Sequence, residues 1–244
     1  LSTRRQRQMC IRDRYRELVG GSSSESWFGY DVDGTGDING DGLSDVVVGA
    51  PEEEGGIGAA FVYSGSPSGI DEGSEQPLSR EGERGFGRQV AGVGDLNGDG
   101  YADIGIIARE VGDTTGSVYL YTGRTEGLSE ADQQLDHDSH SDGYDHGLSL
   151  DGAEDIDGDG FGELLVGVAM VADGGDGAAH LYGGAAHGVE LLQTLTGGSG
   201  GRFGAAVAGA GDVDGDGTRD LLVGAYSEEE DGEPTGAAYL FTLK

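Results

Sequence analysis

The stretch Asp37-Ile38-Asn39-Gly40-Asp41-Gly42-Leu43-Ser44-Asp45 decides how this sequence is interpreted, because it occurs four times with small changes. The equivalent nine-residue loops are residues 95–103, 155–163 and 212–220, so successive starts lie 58, 60 and 57 residues apart. Similarity at a nearly constant long period is the signature of a protein built from structural repeats. The sequence therefore predicts four copies of one unit.

The similarity extends to both sides of each loop. Nine residues before each loop stands a short pair that ends in glycine: Phe28-Gly29, Phe86-Gly87, His146-Gly147 and Phe203-Gly204. An apolar run follows each loop directly, at residues 46–50, 104–108, 164–168 and 221–225. A second, aromatic-rich run comes later, at residues 59–63, 117–121, 178–182 and 237–241. Short β-branched or aromatic runs bounded by Gly, Asp and Ser predict strands.

Each unit is predicted to contain a strand, the acidic loop, a buried strand, a Gly-rich loop, an alternating strand and a more polar last strand. Continuous apolarity in the second strand implies burial on both faces. A four-stranded sheet cannot bury its own faces, so neighbouring units must cover it. We therefore predict an all-β fold, a β-propeller of four-stranded antiparallel blades with four repeats present. An all-β solenoid is the alternative, although 57 to 60 residues is long for one solenoid coil.

Each acidic loop places oxygen-bearing side chains at positions 1, 3, 5 and 9 and glycine at position 6. Ca²⁺ takes six to eight oxygen ligands at roughly 2.3 to 2.6 Å, and glycine supplies the positive φ that lets a chain wrap around an ion. Asp and Gly also form simple turns. However, a turn needs one Asp, whereas each loop has three or four acidic groups, whose repulsion a divalent ion relieves. Position 12 is Val or Ile and not the Glu of an EF-hand, which indicates a strand-loop-strand site.

We predict up to four Ca²⁺ ions, one for each repeat loop, with the backbone carbonyl at position 7 completing the ligand shell. The predicted metal ligands are Asp37, Asn39, Asp41, Leu43, Asp45, Asp95, Asn97, Asp99, Tyr101, Asp103, Asp155, Asp157, Asp159, Phe161, Glu163, Asp212, Asp214, Asp216, Thr218 and Asp220.

These residues resemble the FG-GAP repeats of the integrin alpha-subunit propeller and of its bacterial integrin-like relatives. Phe28-Gly29 and Gly49-Ala50-Pro51 supply both name-giving elements around one acidic loop, and the resemblance covers about residues 27–243. It implies a ring of about seven blades, so we interpret the four repeats as a fragment of a larger ring. Three departures replace Gly-Ala-Pro in the later units: Ile107-Ala108-Arg109, Gly167-Val168-Ala169 and Gly224-Ala225-Tyr226. In the third unit, His146 replaces Phe and Glu163 replaces the closing Asp.

The repeats predict the organisation of the chain. Residues 1–14 are basic and resemble a translated sequencing adapter, so we expect them to be an artefact outside the fold. Residues 15–27 are predicted to form the outer strand of a preceding or closing blade. The predicted blade repeats are residues 28–85, 86–145, 146–202 and 203–244, of which the last lacks its own fourth strand. On this interpretation a signal peptide is lost with the true N-terminus.

Composition excludes several classes of function. The chain has 244 residues with 14 Lys+Arg against 46 Asp+Glu, a formal net charge of −32, which argues against nucleic acid as a partner. No apolar run approaches the roughly 20 residues of a membrane helix, so we expect no membrane span in this segment. The single Cys10 permits no internal disulfide. The acidity is also typical of halophilic proteins, which leaves the periodic loops unexplained.

Four further segments resemble functional sites but also have simpler structural interpretations. The His- and Asp-rich segment 136–146 has the residue types of a transition-metal site, but its position between units favours a solvated loop. The stretch 197–201 matches a nucleophile elbow only formally, because no buried strand leads into it. The acidic stretches 52–54 and 228–231 are interpreted as solvated loop tips, or as tips that face a cationic partner.

We therefore expect a calcium-stabilised extracellular binding or adhesion module, secreted or at the cell surface, with no catalysis of its own. Its loops on the face away from the calcium sites are expected to contact an extracellular protein or glycan ligand. Extracellular calcium suits sites with a Kd of roughly 10⁻⁴ to 10⁻³ M. The alternative is an accessory propeller domain of a secreted hydrolase whose catalytic part is missing from this sequence.

Overall fold

The computed structural model describes residues 17–22, 25–109, 115–138, 147–169, 176–198, 201–227, 229–230 and 233–243. Within these ranges the regular secondary structure is almost entirely β, with one helical turn at Glu53–Gly56 and one 3₁₀ turn at Glu72–Ser74. The strands are β1 (Val32–Gly36), β2 (Asp45–Ala50), β3 (Ala59–Tyr63), β4 (Gly65–Ser66), β5 (Gly69–Ile70), β6 (Gln76–Leu78), β7 (Gln89–Gly94), β8 (Asp103–Ala108), β9 (Thr115–Tyr121), β10 (Gly123–Arg124), β11 (Gly127–Leu128), β12 (Gln133–Asp138), β13 (Leu148–Glu154), β14 (Glu163–Val168), β15 (Ala178–Ala185), β16 (Gly188–Leu195), β17 (Phe203–Gly211), β18 (Asp220–Ala225), β19 (Glu229–Glu230), β20 (Glu233–Pro234) and β21 (Ala237–Phe241). The predicted all-β class is confirmed.

The long strands form four antiparallel sheets that follow one another along the chain. Their strand orders are β1-β2-β3-β6, β7-β8-β9-β12, β13-β14-β15-β16 and β17-β18-β21. The pairs β4-β5, β10-β11 and β19-β20 are short hairpins outside these sheets. Each of the first three sheets has the predicted four strands in the predicted order, and the fourth has three strands among the described residues.

A β-bulge recurs near the end of the first strand of every sheet. It lies between Gly34 and Gly36 in the first sheet and between Gly92 and Gly94 in the second, and it has counterparts in the third and fourth sheets. A bulge bends a strand and increases its twist. The four bulges therefore direct the chain out of each sheet at the point where the acidic loop begins.

The hydrophobic core lies between successive sheets. Val47 of the first sheet and Ile106 of the second belong to one buried cluster. A second cluster joins the second and third sheets, and a third joins the third and fourth sheets. Each sheet therefore covers the face of its neighbour, which is how the blades of a β-propeller pack. The described residues contain no helix that is long and apolar enough to cross a membrane.

Within the described part of the chain, the fourth sheet is covered on one face only. Leu222 and Leu240 are 39% and 45% exposed on its other face, whereas the equivalent Val47 and Val62 of the first sheet are 0% and 2% exposed. In the first sheet these two positions belong to the cluster shared with the second sheet. Among the described residues, no further sheet performs this role for the fourth.

Residues 15–27 are predicted to form the outer strand of a preceding or closing blade, and this stays a prediction. Their described part, residues 17–22 and 25–27, contains no strand, and β21 pairs only with β18 in this part of the chain. Instead, Leu18 packs with Phe28 against the buried cluster of the first sheet that includes Phe61. The described part of the segment therefore lies beside the first sheet and is not paired with β21.

Several predictions concern residues outside the described ranges. These are the adapter-like residues 1–14, His146 of the third unit, most of the segment 136–146, the centre of the stretch 197–201, and the two end residues of the stretch 228–231. The interpretations given to them from the sequence stay predictions, as do the exact boundaries of the four blade repeats.

Candidate metal centres

Each acidic loop joins the first two strands of a sheet, and glycine shapes it. In the first loop, Gly40 and Gly42 have φ angles of 76° and 86°. The equivalent glycines of the other three loops have φ between 72° and 94°. Residues with a Cβ atom rarely adopt this region. The expected positive φ at position 6 is confirmed, and the structure adds the same requirement at position 4.

The carboxylate at position 1 organises the loop by accepting backbone hydrogen bonds. Asp37 Oδ1 accepts from the N–H groups of Gly40 and Asp41 at 2.7 and 3.1 Å, and its Oδ2 accepts from Gly42 at 2.7 Å. Corresponding bonds surround the first Asp of each other loop. Desolvation raises the pKa of Asp37, but the backbone N–H groups outweigh it and lower the pKa overall. The first carboxylate is thereby held in its ionised form.

The side chains at positions 3 and 5 form successive Asx-type turns. Asn39 Oδ1 accepts from the Asp41 N–H at 2.9 Å, and Asp41 Oδ1 accepts from the Leu43 N–H at 2.9 Å. The same two bonds recur in the other three loops. A carboxylate offers about four lone-pair sites, so one such bond leaves capacity for a cation.

Carboxylate oxygens converge in the third and fourth loops. One oxygen from each of Asp155, Asp157 and Asp159 lies within 4.8 Å of the others. In the fourth loop the converging residues are Asp212, Asp214 and Asp220. The first two loops carry Asn39 and Asn97 at position 3, so an amide oxygen replaces one carboxylate there. The structure thus distinguishes two more acidic loops from two less acidic loops.

Position 9 has a structural role that the sequence analysis missed. Asp45 is fully buried, and its Oδ2 accepts from the Ile38 N–H at 3.0 Å while its Oδ1 accepts from the Gly65 N–H at 2.7 Å. Asp103 makes the same pair of bonds, to Leu96 at 2.8 Å and Gly123 at 2.9 Å. This carboxylate therefore ties the acidic loop to the chain that leaves the third strand of its sheet.

The backbone N–H group that position 9 contacts after the third strand belongs to a glycine. A Cβ atom on Gly65 would lie 2.4 Å from the Ser44 carbonyl oxygen, and one on Gly123 would lie 2.4 Å from the Ala102 carbonyl oxygen. Glycine two residues after the aromatic run is thus required by a close backbone approach. The recurrence of this glycine after the third strand is the feature of the sequence that could have predicted the contact between position 9 and the end of that strand.

Burial changes the protonation of the residues at position 9. Desolvation raises the pKa of Asp103 to about 7, and repulsion from Asp95 and Asp99 adds to this effect while the two backbone N–H bonds oppose it. Desolvation likewise raises the pKa of Glu163 to about 7, and it raises the pKa of Asp45. These buried carboxylates are costly to ionise in the absence of a nearby cation.

The predicted ligand residues fit a hard cation. All side-chain donors in the four loops are oxygens, which suits Ca²⁺ and does not suit the soft transition metals that prefer thiolate or imidazole. The residues at position 7, whose carbonyl groups are the predicted backbone ligands, each donate their N–H to the carboxylate at position 5: Leu43, Tyr101, Phe161 and Thr218. The loop backbone is therefore positioned by the same side chains that are predicted to bind the ion.

Comparison with known proteins supports the assignment of the repeats to the FG-GAP type. Residues 37–106 match the profile of the FG-GAP-like repeat family, and residues 203–241 match that of the FG-GAP repeat family. The chain is 38% identical over 167 residues to integrin alpha-4 of Xenopus laevis, a match that covers 62% of this chain and 15% of the relative. It is 36% identical over 159 residues to integrin alpha-IIb of Mus musculus, covering 60% of this chain and 15% of the relative.

A third relative gives a similar result. Integrin alpha-PS5 of Drosophila melanogaster is 37% identical over 175 residues, which cover 66% of this chain and 16% of the relative. The chain thus spans about one seventh of the length of the curated relatives that it matches. Two family matches, four units with one loop geometry, and sheets that pack face to face lead to one conclusion: the chain carries FG-GAP repeats, has a β-propeller type of fold and is similar to integrin alpha subunits.

Proposed function

We propose that this chain is a calcium-stabilised extracellular module that binds a protein or glycan ligand and performs no catalysis of its own. The observation that carries the proposal is the convergence of three carboxylate oxygens within 4.8 Å in the third and fourth of four loops that recur at the same place in the fold. The similarity to integrin alpha subunits supports an adhesion role and a location outside the cell or at its surface.

Calcium is proposed to bind within each loop through the side chains at positions 1, 3, 5 and 9 and the carbonyl at position 7. Three carboxylates as close as Asp155, Asp157 and Asp159 repel one another, and a bound divalent cation reverses this repulsion. Ca²⁺ tolerates the irregular geometry of such a loop better than Mg²⁺, which demands a near-ideal octahedron. The proposed ion in each loop is therefore Ca²⁺.

The proposed role of the ion is structural. Each loop connects the first two strands of a sheet, and position 9 ties it to the end of the third strand, so an ion in the loop holds three strands of one sheet together. An ion that binds only the folded chain stabilises it by RT ln(1 + [L]/Kd). At a free concentration of ten times Kd, this amounts to about 1.4 kcal/mol per site.

The ligand is proposed to bind at the end of the sheets opposite the acidic loops. The acidic loops follow the last residues of the first strands β1, β7, β13 and β17. The opposite end presents the starts of these strands and the loops after the second strands. Rigid sheets that hold loops of variable sequence are a common basis for recognition.

Thermal unfolding of the full chain tests the calcium step. We expect millimolar Ca²⁺ to raise the unfolding midpoint by several degrees, whereas Mg²⁺ and molar NaCl have much smaller effects. Asp214→Asn in the fourth loop should reduce the response to Ca²⁺. The matched control Glu190→Gln, which removes an exposed carboxylate from the third sheet, should leave it unchanged. Stabilisation by NaCl alone would show that the carboxylates are general surface charge.

Binding to arrayed extracellular matrix proteins and glycans tests the recognition step. We expect the full chain to bind a subset of them in Ca²⁺ and to lose this binding in EDTA, because the proposed ions support the sheets that present the ligand-binding loops. Absence of binding to every arrayed ligand by a chain that is folded and calcium-loaded would contradict the recognition step and leave the calcium step intact.

A further inference from the structure

A cavity of about 230 Å³ lies at the end of the sheets opposite the acidic loops. All four sheets contribute to it, through residues at the starts of the four first strands such as Asp31, Gln89, Ser149 and Ala206. Pockets for drug-sized ligands are larger, roughly 300 to 1,000 Å³. The volume suits one small chemical group of a larger ligand.

Basic residues concentrate in this cavity although they are scarce in the protein. The chain has 14 Lys+Arg, of which five lie in residues 1–14. Of the other nine, two line this single cavity, namely Arg88 and Arg109. The remainder of the chain is strongly acidic, with a formal net charge of −32 overall. The two arginines therefore give this cavity a local positive charge in a protein whose overall charge is negative.

The fold is shaped to hold Arg109. Its side chain is only 4% exposed. A Cβ atom on Gly116 would lie 3.1 Å from Arg109 Cδ, and a Cβ atom on Gly147 would overlap the guanidinium. The two glycines, one from β9 and one just before β13, thus form a slot for this side chain. Because burying an Arg costs free energy, a site shaped in this way indicates a specific requirement for its guanidinium.

Arg88 is held from the other side of the cavity. Its guanidinium carbon lies 5.4 Å from the centre of the Tyr30 ring, which is within the range of a cation–π contact. Its backbone N–H donates to the Ile107 carbonyl oxygen at 3.2 Å, which anchors the residue to the end of β8. Burial lowers the pKa of Arg88, while nearby Glu52 raises it. A guanidinium that is stacked on an aromatic ring and partly desolvated forms stronger hydrogen bonds to an anion than one in water.

One acidic group, Asp31, lines the same cavity. Its Oδ2 accepts from the Val90 N–H at 2.9 Å, so this carboxylate is engaged in joining the first two sheets. Burial raises its pKa, and its backbone hydrogen bonds with Val90 and Val32 oppose this effect. Gln89 and Ser149 add neutral polar groups. Among the described lining residues, the charges of Arg88, Arg109 and Asp31 sum to one positive charge when all three groups are ionised.

We propose that this cavity binds a carboxylate group of the ligand, with Arg88 and Arg109 as the recognising side chains. A planar guanidinium group matches a carboxylate in geometry, and a single negative charge balances the net charge of the described lining residues. A doubly charged phosphate matches less well and is repelled more strongly by the surrounding acidic surface. This inference rests on the proposed ligand-binding function and names its chemistry.

Two sources can supply such a group outside the cell: an acidic side chain of a protein, or a uronic acid of a glycan. The probes are therefore a capped peptide of alternating Glu and Gly and a trimer of galacturonic acid. The matched neutral probes are the Gln-Gly peptide and a trimer of galactose. Titration calorimetry of the calcium-loaded full chain at physiological NaCl, where charges are screened beyond about 8 Å, gives each Kd. We expect one carboxylate probe to bind at least about tenfold more tightly than its neutral counterpart, and the same probe to bind more tightly than inorganic phosphate.

Variants separate recognition from folding. Arg88→Gln should weaken binding of the carboxylate probe at least about tenfold, whereas Arg124→Gln should leave it unchanged. Arg124 is an exposed arginine in the hairpin next to the first acidic loop, so both variants remove the same charge. Arg109→Lys keeps the charge but loses the planar fork, and it should weaken binding without abolishing it.

Three results would overturn the inference: equal binding of the carboxylate and neutral probes, tighter binding of phosphate, or equal effects of Arg88→Gln and Arg124→Gln. The arrayed ligands distinguish this failure from failure of the proposed function. If Arg88→Gln retains every arrayed ligand that the wild-type chain binds, the carboxylate assignment is wrong and the binding function stands.

Discussion

A Cβ atom on Gly49 would lie 2.1 Å from the carbonyl oxygen of Gly87, so the backbones of these two residues approach too closely for any other side chain. Gly49 belongs to the Gly-Ala-Pro element of the first unit, and Gly87 to the Phe-Gly element of the second. Gly167 and Gly204 show the same 2.1 Å relationship between the third and fourth units. The two elements that name the repeat therefore meet at the junction of successive sheets.

Replacing Gly49 tests this junction. We expect Gly49→Ala to destabilise the protein by about 1–3 kcal/mol, because the added methyl group forces the two sheets apart. Chemical denaturation at constant Ca²⁺ measures the change. The matched control is Gly34→Ala, where a Cβ atom meets nothing within 4 Å, and it should have almost no effect. Equal losses of unfolding free energy in the two variants would show that the close approach of Gly49 to Gly87 does not limit the packing of the two sheets.

The junction between the second and third sheets is built differently. Arg109 stands where the first unit has Pro51, and a Cβ atom on Gly147 would overlap the Arg109 guanidinium. Arg109 of the altered element Ile107-Ala108-Arg109 and Gly147 thus meet at one junction. In the sequence they are 38 residues apart, and only the fold brings them together.

The spacing of the repeat predicted much of the fold because its signals are local. The apolar runs at residues 46–50 and 104–108 differ by one residue from β2 (Asp45–Ala50) and β8 (Asp103–Ala108). What was missed depends on contacts between residues that are distant in the sequence. The hydrogen bond from the Gly65 N–H to Asp45 spans 20 residues. The cavity that contains Arg88 and Arg109 is lined by residues from all four units. Periodicity indicates which residues form strands but not which loops they meet.

The difference between Asn and Asp at position 3 gives a reciprocal test of the proposed ion sites. Asp157→Asn removes one of three converging carboxylates, so without Ca²⁺ we expect a higher unfolding midpoint, by about 2 °C. With Ca²⁺ we expect weaker ion binding, by roughly tenfold, because affinity follows the number of charged ligands. Thermal scans across a Ca²⁺ titration measure both effects.

The reverse change in the first loop is the matched control. Asn39→Asp adds a carboxylate at the equivalent position, so it should lower the midpoint in EDTA and increase the stabilisation by Ca²⁺. If both substitutions change stability in the same direction at all Ca²⁺ concentrations, the side chains at position 3 do not contact an ion.

Acid should destabilise the contact between the second and third sheets through His137. This residue is 9% exposed, and its ring stacks on His180 at a centroid distance of 5.4 Å. Burial lowers the pKa of His137 to about 4, with repulsion from His180 adding to this and Asp136 opposing it. In the unfolded chain a His has a pKa of about 6.5. The neutral ring therefore contributes full stability above pH 6.5, and this contribution is lost as the pH falls from about 6.5 to 4.

Denaturation in EDTA across this pH window measures the effect. The loss attributable to His137 is up to roughly 3 kcal/mol, so His137→Gln should make stability fall less steeply with acid than in the wild-type chain. The control is His187→Gln, which replaces an exposed His in the turn between β15 and β16 and should leave the slope unchanged. A slope that is the same in all three proteins would show that His137 is not buried in its neutral form.

Leu165 and Leu222 occupy equivalent positions in the third and fourth sheets but are 0% and 39% exposed. Truncating a buried Leu costs about 2–5 kcal/mol through lost transfer free energy and the cavity left behind, whereas an exposed Leu loses much less. We therefore expect Leu165→Ala to destabilise the protein by at least about 2 kcal/mol and Leu222→Ala by less than about 1 kcal/mol. Chemical denaturation of the two variants measures this difference. Equal losses would mean that Leu222 is as well covered as Leu165, and the open face of the fourth sheet would then have to be occupied in solution.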